Sequence, residues 1–144
     1  MKTRQTFLTI MAFTAILGIA LLAFAQSSQW GGKGHVSTSS SKIGAGKTVT
    51  ITYKVTDSSG TGTAGFNCEV TNPNGAIHKA SKGSTEWSGG TAEASFTYPD
   101  DFGGSQIPCT TQDSGKYEIR CYWYIAGYGV DGATAAATGK FHVE

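Results

Sequence analysis

Between Val49 and Val55 the chain alternates without a break. Val49, Ile51, Tyr53 and Val55 fall on one side, and Thr50, Thr52 and Lys54 on the other. A period of two describes a strand with one buried face; a helix would bring its apolar positions back every three or four residues. The same period sets Phe66, Cys68 and Val70 against Asn67, Glu69 and Thr71. It sets Ala92, Ala94, Phe96 and Tyr98 against Thr91, Glu93, Ser95 and Thr97. It is fullest where Tyr117, Ile119, Cys121, Trp123 and Ile125 oppose Glu118, Arg120, Tyr122 and Tyr124. Shorter signals predict a first strand over His35 to Ser40, one around Ile77-His78-Lys79, and a last one carrying Phe141 and Val143.

Turn chemistry separates these runs. Gly44-Ala45-Gly46, Asp57 to Gly62, Asn72-Pro73-Asn74-Gly75, Gly89-Gly90 and Gly127 to Gly132 punctuate the chain, and glycine, asparagine and aspartate bend a backbone at little cost. Leucine is absent after Leu22, and no segment between the runs has helical periodicity. Parallel neighbours need crossovers of a dozen or more residues, so six or seven strands at this spacing predict an all-β, antiparallel sandwich.

The N-terminus carries a different signal. Lys2 and Arg4 precede an apolar run from Phe7 to Phe24, which ends at Ala23-Phe24-Ala25. A basic start, an apolar helix-length stretch and a small-x-small exit form a secretory leader. The expected organisation is a signal peptide at 1–25, an N-terminal arm at 26–41 and one β-domain at 42–144. A retained N-terminal anchor is the alternative to cleavage. Localisation is then secreted or cell-surface.

Removing Lys2 and Arg4 with the leader leaves nine basic residues against ten acidic ones. Scattered lysines on a nearly neutral chain give no footprint for nucleic acid or an anionic membrane. His35, His78 and His142 lie far apart without metal-ligand spacing. A blue-copper site is excluded because both methionines fall in the leader and no histidine follows Cys121 closely. Asp100, Asp101, Asp113 and Asp131 match no calcium loop and read as turn formers. No G-x-S-x-G elbow or assignable carboxylate pair occurs. The expectation is no enzyme, no cofactor and no metal.

Three cysteines leave one over. Cys68 and Cys121 both fall on inward faces, and a bridge between them would stabilise by roughly 4 kcal/mol on the chain-entropy account. Pairing Cys109 with Cys121 would stabilise by roughly 3 kcal/mol, so entropy does not choose between them; pairing of Cys109 with either partner, or no bridge, stays open. If Cys68 and Cys121 pair, Cys109 sits in a polar loop after Pro108, available for an intermolecular disulfide or left as a free thiol.

At Asp113-Ser114-Gly115-Lys116-Tyr117 the chain resembles the approach to strand F of an immunoglobulin-like domain. That resemblance implies a tyrosine corner at Tyr117, whose hydroxyl would bond back across the preceding loop. The family's cysteine follows the tyrosine by two residues, whereas Cys121 follows by four. Asp57 to Val70 and the ending Gly139-Lys140-Phe141-His142-Val143 are similar to immunoglobulin-like repeats of prokaryotic extracellular and cell-surface proteins, of invasin or macroglobulin type. The fold so implied is an immunoglobulin-like β-sandwich of about seven strands preceded by an apolar leader helix.

Two functions compete. A structural or adhesive surface module would act through protein–protein contact with other cell-surface proteins or copies of itself, as in a filament whose arm at 26–41 completes a neighbour's sheet. An extracellular carbohydrate-binding module would instead use exposed aromatics. The candidate surface for either is Tyr122, Tyr124, Tyr128 and Trp87, with Trp30 also outside any clear core position.

Overall fold

The computed structural model describes residues 32–58, 62–87, 90–125 and 134–144. The leader, Trp30 and the rest of the arm before residue 32, Tyr128 and Asp131 lie outside these residues. Among these residues there are eight strands: β1 (Lys33–Thr38), β2 (Lys42–Ile43), β3 (Val49–Thr56), β4 (Gly62–Thr71), β5 (Ile77–Trp87), β6 (Ala92–Tyr98), β7 (Gly115–Ile125) and β8 (Thr134–Val143). Among the described residues there is no helix, and so none long and apolar enough to cross a membrane.

The strands form two sheets, one ordered β1-β3-β6 and the other β2-β8-β7-β4-β5. Both turn their apolar sides to a common core. On β3 the burial alternates as its sequence does, with Val49, Ile51, Tyr53 and Val55 at 1% exposure or less. Phe66, Cys68 and Val70 of β4, Phe96 and Tyr98 of β6, and Tyr117, Cys121 and Trp123 of β7 are equally enclosed. The centre is aromatic. Tyr53 meets Phe66 edge-on at 5.9 Å across the two sheets. Tyr98 meets Tyr117 at 5.8 Å, and Tyr117 stacks on Phe141 at 4.9 Å. Each such ring contact contributes about 0.5–1.5 kcal/mol beyond the burial of its area.

Four features depart from expectation. One pairing is parallel, where Lys42 and Ile43 run beside His142 and Val143; two residues carry no periodic signal, and a long intervening chain lets the ends of the domain meet in either sense. β5 extends over eleven residues rather than three, because Lys79-Ala80-Ser81-Lys82-Gly83 alternates in burial only as far as Ala80 and has no large apolar side chain. β8 begins at Thr134 rather than near Phe141, its first half being small residues. Finally, the first strand, expected over His35 to Ser40, runs instead from Lys33 to Thr38 and pairs at all six positions with β3.

Gly34 explains how that first strand fits. A side chain at position 34 would strike the backbone of Ala135 on β8, so the absence of one lets β1 close the gap between the two sheets. Val36 packs beside Gly139 in the same seam. Elsewhere the turn at Asn72 is built as its sequence suggests: its Oδ1 accepts the N–H groups of Asn74 at 3.0 Å and Ala76 at 2.9 Å.

The segment between β6 and β7 is an ordered strap. Phe102 enters the core, Gly103 exchanges backbone hydrogen bonds with Lys79 at the β5 edge, and Thr111 donates to the Lys47 carbonyl at 2.6 Å. Asp101 caps the free edge of β6, accepting the Thr97 N–H at 2.6 Å while its own N–H bonds the Thr97 carbonyl at 2.8 Å. Blunting an edge strand in this way discourages unplanned pairing.

Candidate binding face

The alternation that buries Tyr117, Ile119, Cys121 and Trp123 places Lys116, Glu118, Arg120, Tyr122 and Tyr124 on the outer face of the five-stranded sheet. Register then supplies their neighbours. Tyr122 stands opposite Asn67, Tyr124 opposite Gly65, and Arg120 opposite Glu69. The Arg120 guanidinium lies 5.1 Å from the Tyr122 ring centre, a cation–π pair. Asn67 accepts a hydrogen bond from Ser81 of β5. The Tyr124 ring covers Gly65 so closely that a side chain there would collide with it; this glycine is what allows an aromatic to lie down on the sheet.

Along β7 toward its start the face becomes charged. Glu69 sits between Lys79 at 3.8 Å and Arg120 at 3.9 Å, and Lys116 contacts Glu118 at 2.9 Å. A depression of about 610 Å³ opens here, lined by Glu69, Glu118, Arg120, Thr138 and Lys140. These exposed pairs are worth at most about 1 kcal/mol each, so they add little to stability. The aromatic half and the charged half form one continuous surface.

Of the sequence-derived candidates, the structure brings together Tyr122 and Tyr124 and does not describe Tyr128. Trp87 ends β5 opposite Gly62, and its side chain lies outside the described residues. Asn67 and Gly65 were missed, because cross-strand neighbours cannot be read from one strand's period; Arg120, which the period does set on the outward face with Tyr122, was not singled out.

Cys68 and Cys121 face each other across β4 and β7 and are bonded, with S–S 2.08 Å. The bridge joins two paired strands of one sheet. A disulfide is kept in compartments outside the cytoplasm. The Tyr117 hydroxyl donates to the Asp113 carbonyl at 2.7 Å; burial raises its pKa, and Asp113 and Cys109 add to the rise.

Cys109 is a free, partly shielded thiol, the alternative to an intermolecular bridge. It is half-buried against the core, with its S–H toward the Pro99 carbonyl at 3.7 Å. Burial pushes its pKa up, the neighbouring Tyr98 hydroxyl draws it partly back, and Asp100 adds to the rise. The shielding has a plain cause: the strap that carries Cys109 also carries Phe102 into the core, and the thiol follows. His78 was unforeseen as an interior residue. It is 1% exposed and its Nε2–H donates to the Ile107 carbonyl at 2.8 Å, tying the strap to β5.

Among the described residues no three His, Cys, Asp or Glu side chains gather as metal ligands. His35, His78 and His142 sit on three different strands. Asp113 accepts from Asn74 at 3.0 Å, and Asp101 is the cap described above.

No family model and no curated protein sequence matches the chain. Among solved structures it is similar to the Pseudomonas fluorescens alkylpurine DNA glycosylase AlkC bound to DNA containing an abasic site analog, with TM-score 0.50 and 8% identity. The similarity covers 78% of this chain and 30% of that one, so the chain spans under a third of the enzyme's length. At this identity the likeness concerns the fold alone. It corrects two expectations all the same. Missing motifs and near-neutral charge excluded an enzyme and a nucleic-acid partner, yet this fold is similar to part of an enzyme solved on DNA. Neither exclusion stands.

Proposed function

We propose that the chain is an immunoglobulin-like module of a secreted or cell-surface protein, acting in adhesion or surface assembly through protein–protein contact on the outer face of the five-stranded sheet. The strand order supports the fold reading. Three strands face five, the first strand is divided between the sheets as β1 and β2, and a tyrosine near the start of β7 bonds back to the carbonyl four residues before it. The position of the disulfide distinguishes the module from antibody domains, whose bridge crosses between the sheets.

The observation that carries the functional reading is the Arg120–Tyr122 pair on an exposed sheet face, beside Tyr124 and within a rim of charged side chains. Arginine and tyrosine at the centre of a charged rim are the residues on which protein interfaces most depend. Stacking on neutral sugars is served less well. Such sites need free ring faces, whereas Tyr122 is stacked by Arg120 and Tyr124 is laid on Gly65.

Chemical cross-linking of the intact cell-surface fraction tests this. The unaltered protein should be captured in higher-mass species, and Tyr122→Ala with Arg120→Ala should remove them while thermal unfolding stays cooperative. Interface centres of this kind lose about 2 kcal/mol or more of binding per residue. Identical cross-linked species from the double variant would overturn the proposal.

A further inference from the structure

At the end of the five-stranded sheet remote from Tyr124, three strands bring basic side chains into one row. Register sets Lys42 of β2 beside His142 of β8, and His142 beside Lys116 of β7. Lys140 lies two residues back along β8 on the same face, opposite Glu118. Nothing in the spacing of residues 42, 116, 140 and 142 announces this; only the ladder assembles it. The backbone N–H of His142 bonds the Ser41 carbonyl at 2.9 Å, which holds Ser41 at the margin of the row.

Two of these cations are already engaged. Lys42 contacts Glu144 at 3.7 Å and Lys116 contacts Glu118 at 2.9 Å. Lys140 has no ion-pair partner among the described residues. It lines a depression of about 210 Å³ together with Ser41, Lys116, Phe141 and His142, and it also borders the larger depression on the same face.

We infer that this corner binds the carboxylate or sulfate groups of an acidic polysaccharide. A free ammonium at the rim of a surface depression takes an oxyanion through charge-assisted hydrogen bonds, and Lys116, the His142 ring and Ser41 bring further donors. Glu118 and Glu144 decide the class of polymer. Duplex DNA presents a negative charge about every 1.7 Å of its axis, so a duplex lying on this row would force phosphates against both carboxylates. A polysaccharide spaces its acids and places hydroxyls between them. Those hydroxyls donate to Glu118 and Glu144 while the acids meet Lys140 and Lys116. Lys116 lies six positions before Tyr122, roughly 20 Å along the strand, so the corner is the far, charged end of the same face, and its basic row does not include the Arg120–Tyr122 pair on which the protein-contact reading rests.

Affinity electrophoresis of the purified protein tests the assignment, through gels containing alginate, dextran sulfate or neutral dextran, with a duplex DNA oligonucleotide titrated in parallel. At least one acidic polymer should retard the protein, neutral dextran should not, and DNA should bind more weakly. Lys140→Glu and Lys116→Glu should each cut affinity about tenfold, the worth of one hydrogen bond to a charged group. Lys33→Ala with Lys54→Ala, on the outer face of the other sheet, should leave retardation unchanged. Thermal melting checks that every variant is folded. Lack of retardation by both acidic polymers would overturn the inference, as would an equal loss in the Lys33/Lys54 control. DNA binding at least as tight as that of the acidic polymers would overturn it in favour of a nucleic-acid site.

Discussion

Cys109 shows how a single residue changes character with its surroundings. In the sequence it follows Pro108 among polar loop residues; in the fold it lies beside the Tyr98 hydroxyl and the Pro99 carbonyl, with its pKa raised by burial. Only the thiolate reacts with alkylating agents or disulfides, so less of the reactive form is present at any neutral pH. Iodoacetamide should therefore label Cys109 of the native protein much more slowly than the same residue in urea, with the native rate climbing as pH rises. Equal rates in the two states would show that the strap does not shield it. The inward positions of Tyr53, Phe96, Tyr117 and Trp123 follow from alternation alone. Burial of His78 does not, since a histidine at 78 satisfies either face until Ile107 is brought to its ring.

At the scale of elements, legibility tracked side-chain size. β3, β6 and β7 carry apolar residues at every second position, large throughout β3 and at Phe96 and Tyr98 of β6, and their extents and faces are readable to within about two residues. β5 and the first half of β8 are built on alanine, glycine, serine and threonine, so their strands are held by pairing rather than by a hydrophobic face. β1 belongs with them. It is secured by the β3 ladder and by the close approach of Gly34 to Ala135. Gly34→Val should lower stability by about 1–3 kcal/mol, as overpacking does, measured by urea denaturation. Gly83→Val, where an added side chain meets nothing within 4 Å, is the matched control and should stay close to the unaltered protein. Similar losses at both positions would mean that the β1–β8 seam does not set the cost.

For the molecule as a whole, the aromatic core couples stability to alkaline pH. Burial raises the pKa of Tyr53, Tyr98 and Tyr117, most strongly for Tyr53 and Tyr98. The folded chain holds these phenolic protons where the unfolded chain releases them near pH ~10. Their contribution is therefore fully present below about pH 9 and is lost as the pH rises past that range. Absorbance of tyrosinate and circular dichroism should then change together, the buried phenols ionising only as the sheets come apart. Ionisation of all tyrosines with the fold intact would contradict the packing described here. By itself the sequence determined the all-β class, the buried face of each strongly alternating strand and the outward placement of Tyr122 and Tyr124, because a period of two is a local property of the chain. Tertiary structure alone decided the parallel β2–β8 contact, the shielding of Cys109, the placing of Asn67 and Gly65 beside Tyr122 and Tyr124, and the row of Lys42, His142 and Lys116. Each of these depends on register between segments far apart in sequence, and register is set by the packing of the whole core.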